Sequence, residues 1–86
     1  MDEEVLALIE YTQFVRDMDP NLEMALGYEN IYPTVTFKLS NIEQSFRMDS
    51  GNNLPKFIMD MYRKFMKDLA YNHISDPNVQ QAVFGG

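Results

Sequence analysis

Between residues 34 and 48 the sequence reads Thr34-Val35-Thr36-Phe37-Lys38-Leu39-Ser40-Asn41-Ile42-Glu43-Gln44-Ser45-Phe46-Arg47-Met48. Apolar and polar residues alternate in both halves of this segment, which is the period of a β-strand with one buried face. The predicted buried face carries Val35, Phe37 and Leu39, then Ile42, Phe46 and Met48, with Gln44 as the exception. Because only Ser40-Asn41 separates the two runs, they are expected to pair as an antiparallel hairpin. Pro33 lacks an N–H and is expected at the beginning of the first strand.

Two helices are predicted before the hairpin. Residues 2–18 repeat apolar side chains at helical spacing, and Asp2 or Glu3 is expected to satisfy free N–H groups at the helix start. The predicted buried arc contains Ala7, Leu8, Tyr11, Phe14, Val15 and Met18, with Val5 and Ile9 on its shoulder. Asp19-Pro20 resembles an N-cap followed by a first helical residue, so a second short helix is predicted over residues 21–26, ended by Gly27.

A long helix is predicted after the hairpin and a turn cluster at residues 49–53. It runs from about Leu54 to Asn72 and is capped by Asn53. Its continuous apolar stripe consists of Leu54, Phe57, Ile58, Met61, Tyr62, Phe65 and Leu69. Asp76-Pro77 repeats the cap signature and predicts a last short helix over residues 78–84, with Gly85-Gly86 frayed. The order α-(α)-β-β-α-(α) therefore predicts one small α+β domain over residues 1–86, with helices packed on one face of an antiparallel hairpin.

Composition restricts the classes of protein that this chain can represent. Its 86 residues are 45% hydrophobic and 23% charged, as expected for one small globular domain. Cysteine is absent, which excludes disulfides, thiolate nucleophiles and Cys-bound metals. No apolar run approaches the roughly 20 residues that span a bilayer, and the acidic start Met1-Asp2-Glu3-Glu4 differs from a basic signal peptide. We therefore expect a cytoplasmic protein without a membrane segment.

One segment resembles the start of a calcium-binding loop. Asp17, Asp19 and Asn21 have the spacing of the first three ligands of an EF-hand. However, that motif requires Gly and Glu further along, where this chain has Leu22 and Tyr28. The pattern is better explained by a helix end followed by a capping aspartate, and no metal site is predicted.

Catalytic chemistry is not expected either. His73 is the only histidine, and it lies near the end of the long helix, where its charged form interacts favourably with the helix dipole. Ser75 and Asp76 are close in sequence, but neighbours in a turn rarely form a catalytic triad. The acidic residues Asp2, Glu3, Glu4 and Glu10 are interpreted as a solvated cluster at a helix start rather than paired catalytic carboxylates. We predict no catalytic residue, no cofactor and no enzymatic activity.

Charge is distributed unevenly along the chain. The net charge is −6, but residues 1–29 alone carry −7, whereas residues 54–70 carry +2. Lys56, Arg63 and Lys67 lie within about 40° of one another on the predicted long helix, with Lys64 beside them. Such a ridge is able to follow phosphates, although Asp60 interrupts it and the acidic net charge opposes nucleic-acid binding. Nucleic acid is therefore not the expected partner.

A methionine-rich shoulder on the same helix is the predicted contact surface. Met59, Met66 and Ala70 lie outside the main apolar stripe, and methionine makes adaptable contacts at binding surfaces. Either a partner covers this shoulder, or the C-terminal tail does so through Val79, Val83 and Phe84. The predicted partner-binding residues are Met59, Tyr62, Arg63, Met66, Lys67 and Ala70, with the hairpin edge as the second choice.

These features lead to three functional hypotheses. The first is a small acidic, non-catalytic protein-binding module that masks or bridges a surface on a larger host or cellular protein. An inhibitor or adaptor encoded by a phage or another mobile element fits that description. The second is a small oligomeric structural or assembly subunit, since a two-stranded hairpin leaves two edges to pair and favours a homodimer. The third is a nucleic-acid-binding regulator that uses the basic ridge.

Overall fold

The computed structural model describes residues 2–51 and 53–85. The elements, in chain order, are α1 (Glu3–Asp17), β1 (Glu23–Glu29), β2 (Tyr32–Leu39), β3 (Ile42–Arg47), α2 (Leu54–Asn72) and α3 (Pro77–Phe84). Asn52 of the predicted turn cluster and Gly86 of the predicted frayed end lie outside the described residues. The α+β class and the contact of helices with the hairpin are confirmed.

The hairpin of β2 and β3 forms as predicted. The strands are antiparallel, with Val35 opposite Phe46 and Leu39 opposite Ile42. Gln44, the polar residue on the otherwise apolar face, stands opposite Phe37 and donates a 2.6 Å hydrogen bond to the Asp68 carboxylate of α2. This bond explains the exception, because a polar side chain on a half-buried face needs a partner.

The predicted helix over residues 21–26 is wrong, because Asn21 and Leu22 lie in a turn and its end, and residues 23–26 belong to β1. Asp19 accepts a 2.8 Å hydrogen bond from the Asn21 N–H, as a cap does, but the chain closes a turn there and then extends. β1 pairs antiparallel with β2, placing Met24 opposite Phe37 and Leu26 opposite Val35. Pairing with a distant strand overrides the local cap signal. The sheet of the described residues has the order β1-β2-β3, so β2 is central and Gly27 is a strand residue rather than a helix end.

The three helix starts use the capping residues predicted. Asp2 accepts from the Glu4 N–H at 2.9 Å, Asn53 from the Lys56 N–H at 3.1 Å and Asp76 from the Asn78 N–H at 2.8 Å. Each cap satisfies an N–H group that has no partner within the first helical turn.

The core lies between β2 and α2. Three alternate residues of β2 and three residues of the predicted α2 stripe are fully buried, together with one residue of α3: Val35, Phe37, Leu39, Ile58, Phe65, Leu69 and Val79. The Phe37 and Phe65 rings stack with centroids 5.6 Å apart. The helices thus form one layer on one face of the sheet, and the molecule is only 19 Å thick along its shortest axis.

The β2–β3 turn contains a residue whose conformation suits glycine. Ser40 has a φ of +58°, in the left-handed region, whereas Asn41 is not among the described residues with positive φ. Glycine adopts this region without the steric cost that a Cβ imposes. We expect Ser40→Gly to raise the free energy of unfolding by about 0.5–1 kcal/mol in urea denaturation. Asn41→Gly is the matched control and should not stabilise; equal effects of the two substitutions would contradict the assignment of strain to Ser40.

Candidate interaction surface

Met59 of the predicted contact surface is buried beneath α1. Its side chain is 6% exposed, and it lies with Ala7 in the groove between α1 and α2. This part of α2 is therefore covered by α1. It is not a free surface, and the C-terminal tail does not cover it. Val79 and Val83 of the tail instead pack into or against the core, while Phe84 is exposed.

The other predicted contact residues differ widely in exposure. Tyr62 is half-buried between α1 and the sheet, with its ring 4.8 Å from Phe14 and 5.9 Å from Phe37. Met66 and Ala70 are also half-buried, whereas Arg63 and Lys67 are exposed. The six residues thus do not make one continuous exposed face.

The predicted basic ridge is solvated and partly neutralised. Lys56, Lys64 and Lys67 are exposed, and the Arg63 guanidinium donates a 2.9 Å hydrogen bond to Asp60 of the same helix. An exposed pair of this kind contributes little to stability. It does reduce the positive potential of the ridge at its centre.

An exposed apolar face on α1 is the feature that sequence reasoning missed. Five apolar side chains of this helix are 41–54% exposed: Val5, Leu6, Leu8, Ile9 and Val15. Leu8 and Val15 were predicted on the buried arc, and that prediction is wrong. Burial is confined to Ala7 with the half-buried Tyr11, Phe14 and Met18. The sequence does carry a signal for this exposed face: the predicted apolar arc is broad, with Val5 and Ile9 on its shoulder.

A second apolar area lies at the end of β1. Leu26 is 54% exposed and Tyr28 is 74% exposed. Leu26 stands opposite the buried Val35 and Tyr28 opposite Pro33, so both side chains point to the face of the sheet that carries the helices. The helix layer therefore does not cover this end of β1.

The two apolar areas occur on the same side of α2. On one flank of α2, Asp68 bonds to Gln44 of β3; on the other flank, Met59 and Tyr62 face α1. Because β3 and α1 lie on opposite flanks, α1 occupies the β1 side of the molecule. We call the exposed apolar residues there the α1–β1 surface: Val5, Leu8, Ile9, Val15, Leu26 and Tyr28.

The segment that carries the α1–β1 surface is acidic. Residues 1–29, which form α1 and β1, contain eight acidic residues and a single basic one, Arg16. Arg16 is itself paired with Asp17 at 3.2 Å. An apolar surface on a segment of net negative charge attracts positively charged partners through the field of that segment.

A polar cluster around Asp68 has a structural explanation. The carboxylate accepts hydrogen bonds from Gln44 and from Asn72, each at 2.6 Å, and lies 3.7 Å from the Nε2 atom of His73. These contacts tie β3 to the end of α2, where His73 is the C-cap residue. Across the described ranges, no group of three acidic or histidine side chains is placed to hold a metal ion.

Comparisons with known proteins give no relative. No protein-family model matches the sequence, and neither the curated proteins nor the solved structures contain a match. Of the helices in residues 2–51 and 53–85, none has the length and apolar character needed to cross a bilayer.

Tyr62 makes stability sensitive to alkaline pH. Burial, and secondarily the negative charge of Asp19, raises the pKa of this phenol above its ordinary value of 10.0. In the unfolded chain Tyr62 ionises near pH 10, whereas in the folded protein it stays neutral to higher pH. The free energy of unfolding is therefore retained below pH 10 and falls as the pH rises from 10 through the folded-state pKa.

We expect Tyr62→Phe to make this decline shallower in urea titrations between about pH 9 and pH 11.5. Tyr71→Phe is the control, because Tyr71 is exposed on the same helix and its replacement should leave the slope unchanged. Identical slopes for wild type and Tyr62→Phe would show that the decline has another origin.

Proposed function

We propose that this protein is a small non-catalytic protein-binding domain that docks on a larger cytoplasmic protein through the α1–β1 surface. It acts as an inhibitor or adaptor, by masking or bridging a surface of that partner. Its cysteine-free composition suits a reducing compartment. A single histidine and the absence of a motif for nucleophilic or phosphate chemistry support a non-catalytic role.

The observation that carries the proposal is the exposure of six apolar side chains on one side of the molecule. They are 41–74% exposed although each belongs to a regular helix or strand. Single exposed apolar residues are ordinary, but a group of them on one side of a molecule is typical of an interaction site. The α1–β1 surface thus replaces the methionine shoulder of α2 as the proposed contact.

The total surface area supports the same conclusion. A compact monomer of this mass is expected to expose about 5,300 Å². The chain exposes 5943 Å², about 650 Å² more, which agrees with a flat molecule that leaves apolar side chains uncovered. The radius of gyration, 13.5 Å, likewise exceeds the about 12 Å expected for a compact domain of this length.

A homo-oligomeric assembly subunit is the second candidate, because the same excess area would be buried between copies. The charge of the surface favours a different protein as partner. Two copies that meet through α1 and β1 would bring two segments of net charge −7 together. Like charges placed close together oppose association, whereas a basic partner is attracted.

Removing apolar side chains from α1 tests the proposal. We expect the double variant Leu8→Gln, Ile9→Gln to weaken partner binding at least tenfold, since each side chain gives up apolar area worth about 1–2 kcal/mol. Glutamine keeps the net charge and favours helix. Tyr71→Gln on α2 is the control, which removes a large side chain that is more exposed, 76% against 54% for Leu8 and 43% for Ile9, and that lies away from the surface.

The measurement begins with immobilised protein and nuclease-treated lysate of the source organism. One stoichiometric protein should be retained by wild type and by Tyr71→Gln and lost with the double variant, while circular dichroism shows that all three fold. Loss of binding in Lys67→Glu but not in the double variant would return the contact to α2. No retained protein, together with a solution mass at a multiple of 10.1 kDa, would identify the assembly subunit instead.

A further inference from the structure

Resting on the proposed function, we infer that the partner contributes an extended segment that pairs with the free edge of β1 as a fourth strand. This segment carries basic residues opposite Glu23 and Glu29. Between them, at alternate positions, it carries apolar residues on the side of α1. The inference names the class of partner that the α1–β1 surface accepts: a basic peptide strand with alternating apolar side chains.

The edge of β1 is free and regular. In the order β1-β2-β3, β1 pairs with β2 on one side only, over seven consecutive residues without a bulge. The strand contains no proline or lysine, which are the residues that commonly block an edge, and no residue in it has a positive φ. Such an edge accepts an added strand through main-chain hydrogen bonds, a common mode of peptide recognition.

The main-chain groups on this edge follow from the β1–β2 turn. A two-residue loop, Asn30-Ile31, joins the strands, so the closing pair Glu29 and Tyr32 is hydrogen-bonded between β1 and β2. By alternation, the N–H and C=O groups of Met24, Leu26 and Tyr28 point away from β2. They provide the donors and acceptors for a fourth strand.

α1 supplies an apolar wall for the added strand. Glu10 of α1 lines the outer groove with Arg63, which lies on the exposed side of α2. Leu8 and Val15 lie about 140–160° around α1 from Glu10, and so on the sheet side of the helix. Both are exposed, and α1 lies on the β1 side of the molecule. Leu8 also lines a groove with Pro55 at the start of α2. In the proposed complex, side chains of a fourth strand that share the face of Leu26 would extend toward this wall.

The charges select the sequence of the strand. Glu23 and Glu29 stand at the two ends of β1, are exposed, and lie on the face opposite Leu26. Glu29 forms a 3.4 Å ion pair with Arg47, and Glu23 stands opposite Lys38 of β2, yet all four side chains are exposed and accessible to a further charge. Opposite charges directly across neighbouring strands stabilise a pair, and like charges destabilise it. A second copy of β1, paired antiparallel about Leu26, would place glutamate against glutamate at both ends. A strand with basic residues six positions apart fits instead.

The test uses the synthetic peptide Lys-Val-Thr-Val-Thr-Val-Lys, capped at both ends and labelled with a fluorophore. Its sequence reads the same in both directions, so strand orientation need not be assumed. Fluorescence anisotropy should show saturable binding to the wild-type protein. Two control peptides should bind at least tenfold more weakly: one with glutamate in place of lysine, and one with valine and threonine exchanged.

Protein variants separate strand pairing from general attraction to an acidic protein. Glu23→Lys, Glu29→Lys should bind the lysine peptide about tenfold more weakly and gain affinity for the glutamate peptide. Glu3→Lys, Glu10→Lys changes the net charge by the same amount on the far side of α1, and should bind the lysine peptide more tightly than the first variant does. Leu26→Pro removes one outward N–H from the edge and should therefore also weaken binding. The variant is expected to fold, because proline is tolerated in edge strands.

Three results would overturn the inference. An equal loss of affinity for the lysine peptide in the two charge variants would show general electrostatic attraction without strand pairing. If the lysine peptide did not bind the wild-type protein, the proposed fourth strand would be refuted. A dimer in solution that Leu26→Pro dissociates would show that β1 pairs with its own copy. The proposed function is tested separately. If the captured partner is lost with Leu8→Gln, Ile9→Gln but retained by Leu26→Pro, the docking surface is supported and only strand pairing is refuted.

Discussion

The packing of Phe37 against α2 is the interaction on which the other elements depend. Phe37 lies at the middle of the central strand and is fully buried, stacked on Phe65 and 5.9 Å from Tyr62. Its ring is also 6.3 Å from Phe46 of β3, and its backbone pairs with Met24 of β1. Since Tyr62 in turn contacts Phe14 of α1, one aromatic cluster joins the sheet, the long helix and the first helix. Large aromatic side chains contribute much of the burial available to so short a chain.

This arrangement explains why the two apolar areas remain uncovered. α2 lies over β2, where it buries Val35, Phe37 and Leu39, and α3 adds Val79 to the same core. Only α1 remains for the β1 side, and it reaches the core through a narrow strip of Tyr11, Phe14 and Met18. The end of β1 at Leu26 and Tyr28 therefore has no helix above it. In this arrangement the described helices cover β2 and leave the end of β1 exposed.

The sequence predicts those parts of the fold that depend on neighbouring residues. The β2–β3 hairpin, the α2 stripe and the three caps are recovered because alternation, helical spacing and capping aspartates act over a few positions. β1 is missed because Asp19-Pro20 and Gly27 imitate the start and end of a helix, whereas the strand is specified by pairing with residues 32–38. A helical wheel likewise does not state how wide a contact is. It assigned Leu8 and Val15 to the core and Met59 to the surface. In the structure α1 lies beside α2, so Met59 is buried and Leu8 and Val15 are exposed.

Two acids of β1 also reduce the tendency of this edge strand to aggregate. An exposed, regular edge strand with apolar side chains tends to pair with other chains and aggregate. Glu23 and Glu29 occupy both ends of β1, and in the register that overlaps the full strand each would face a glutamate of the other copy. With a further net charge of −6 over the whole chain, copies repel one another at a distance as well. A basic strand would meet neither the repulsion between facing glutamates nor the long-range repulsion between acidic copies. The distribution of charge thus disfavours pairing of β1 with another copy of the same protein, and so leaves its edge open to the proposed partner of opposite charge.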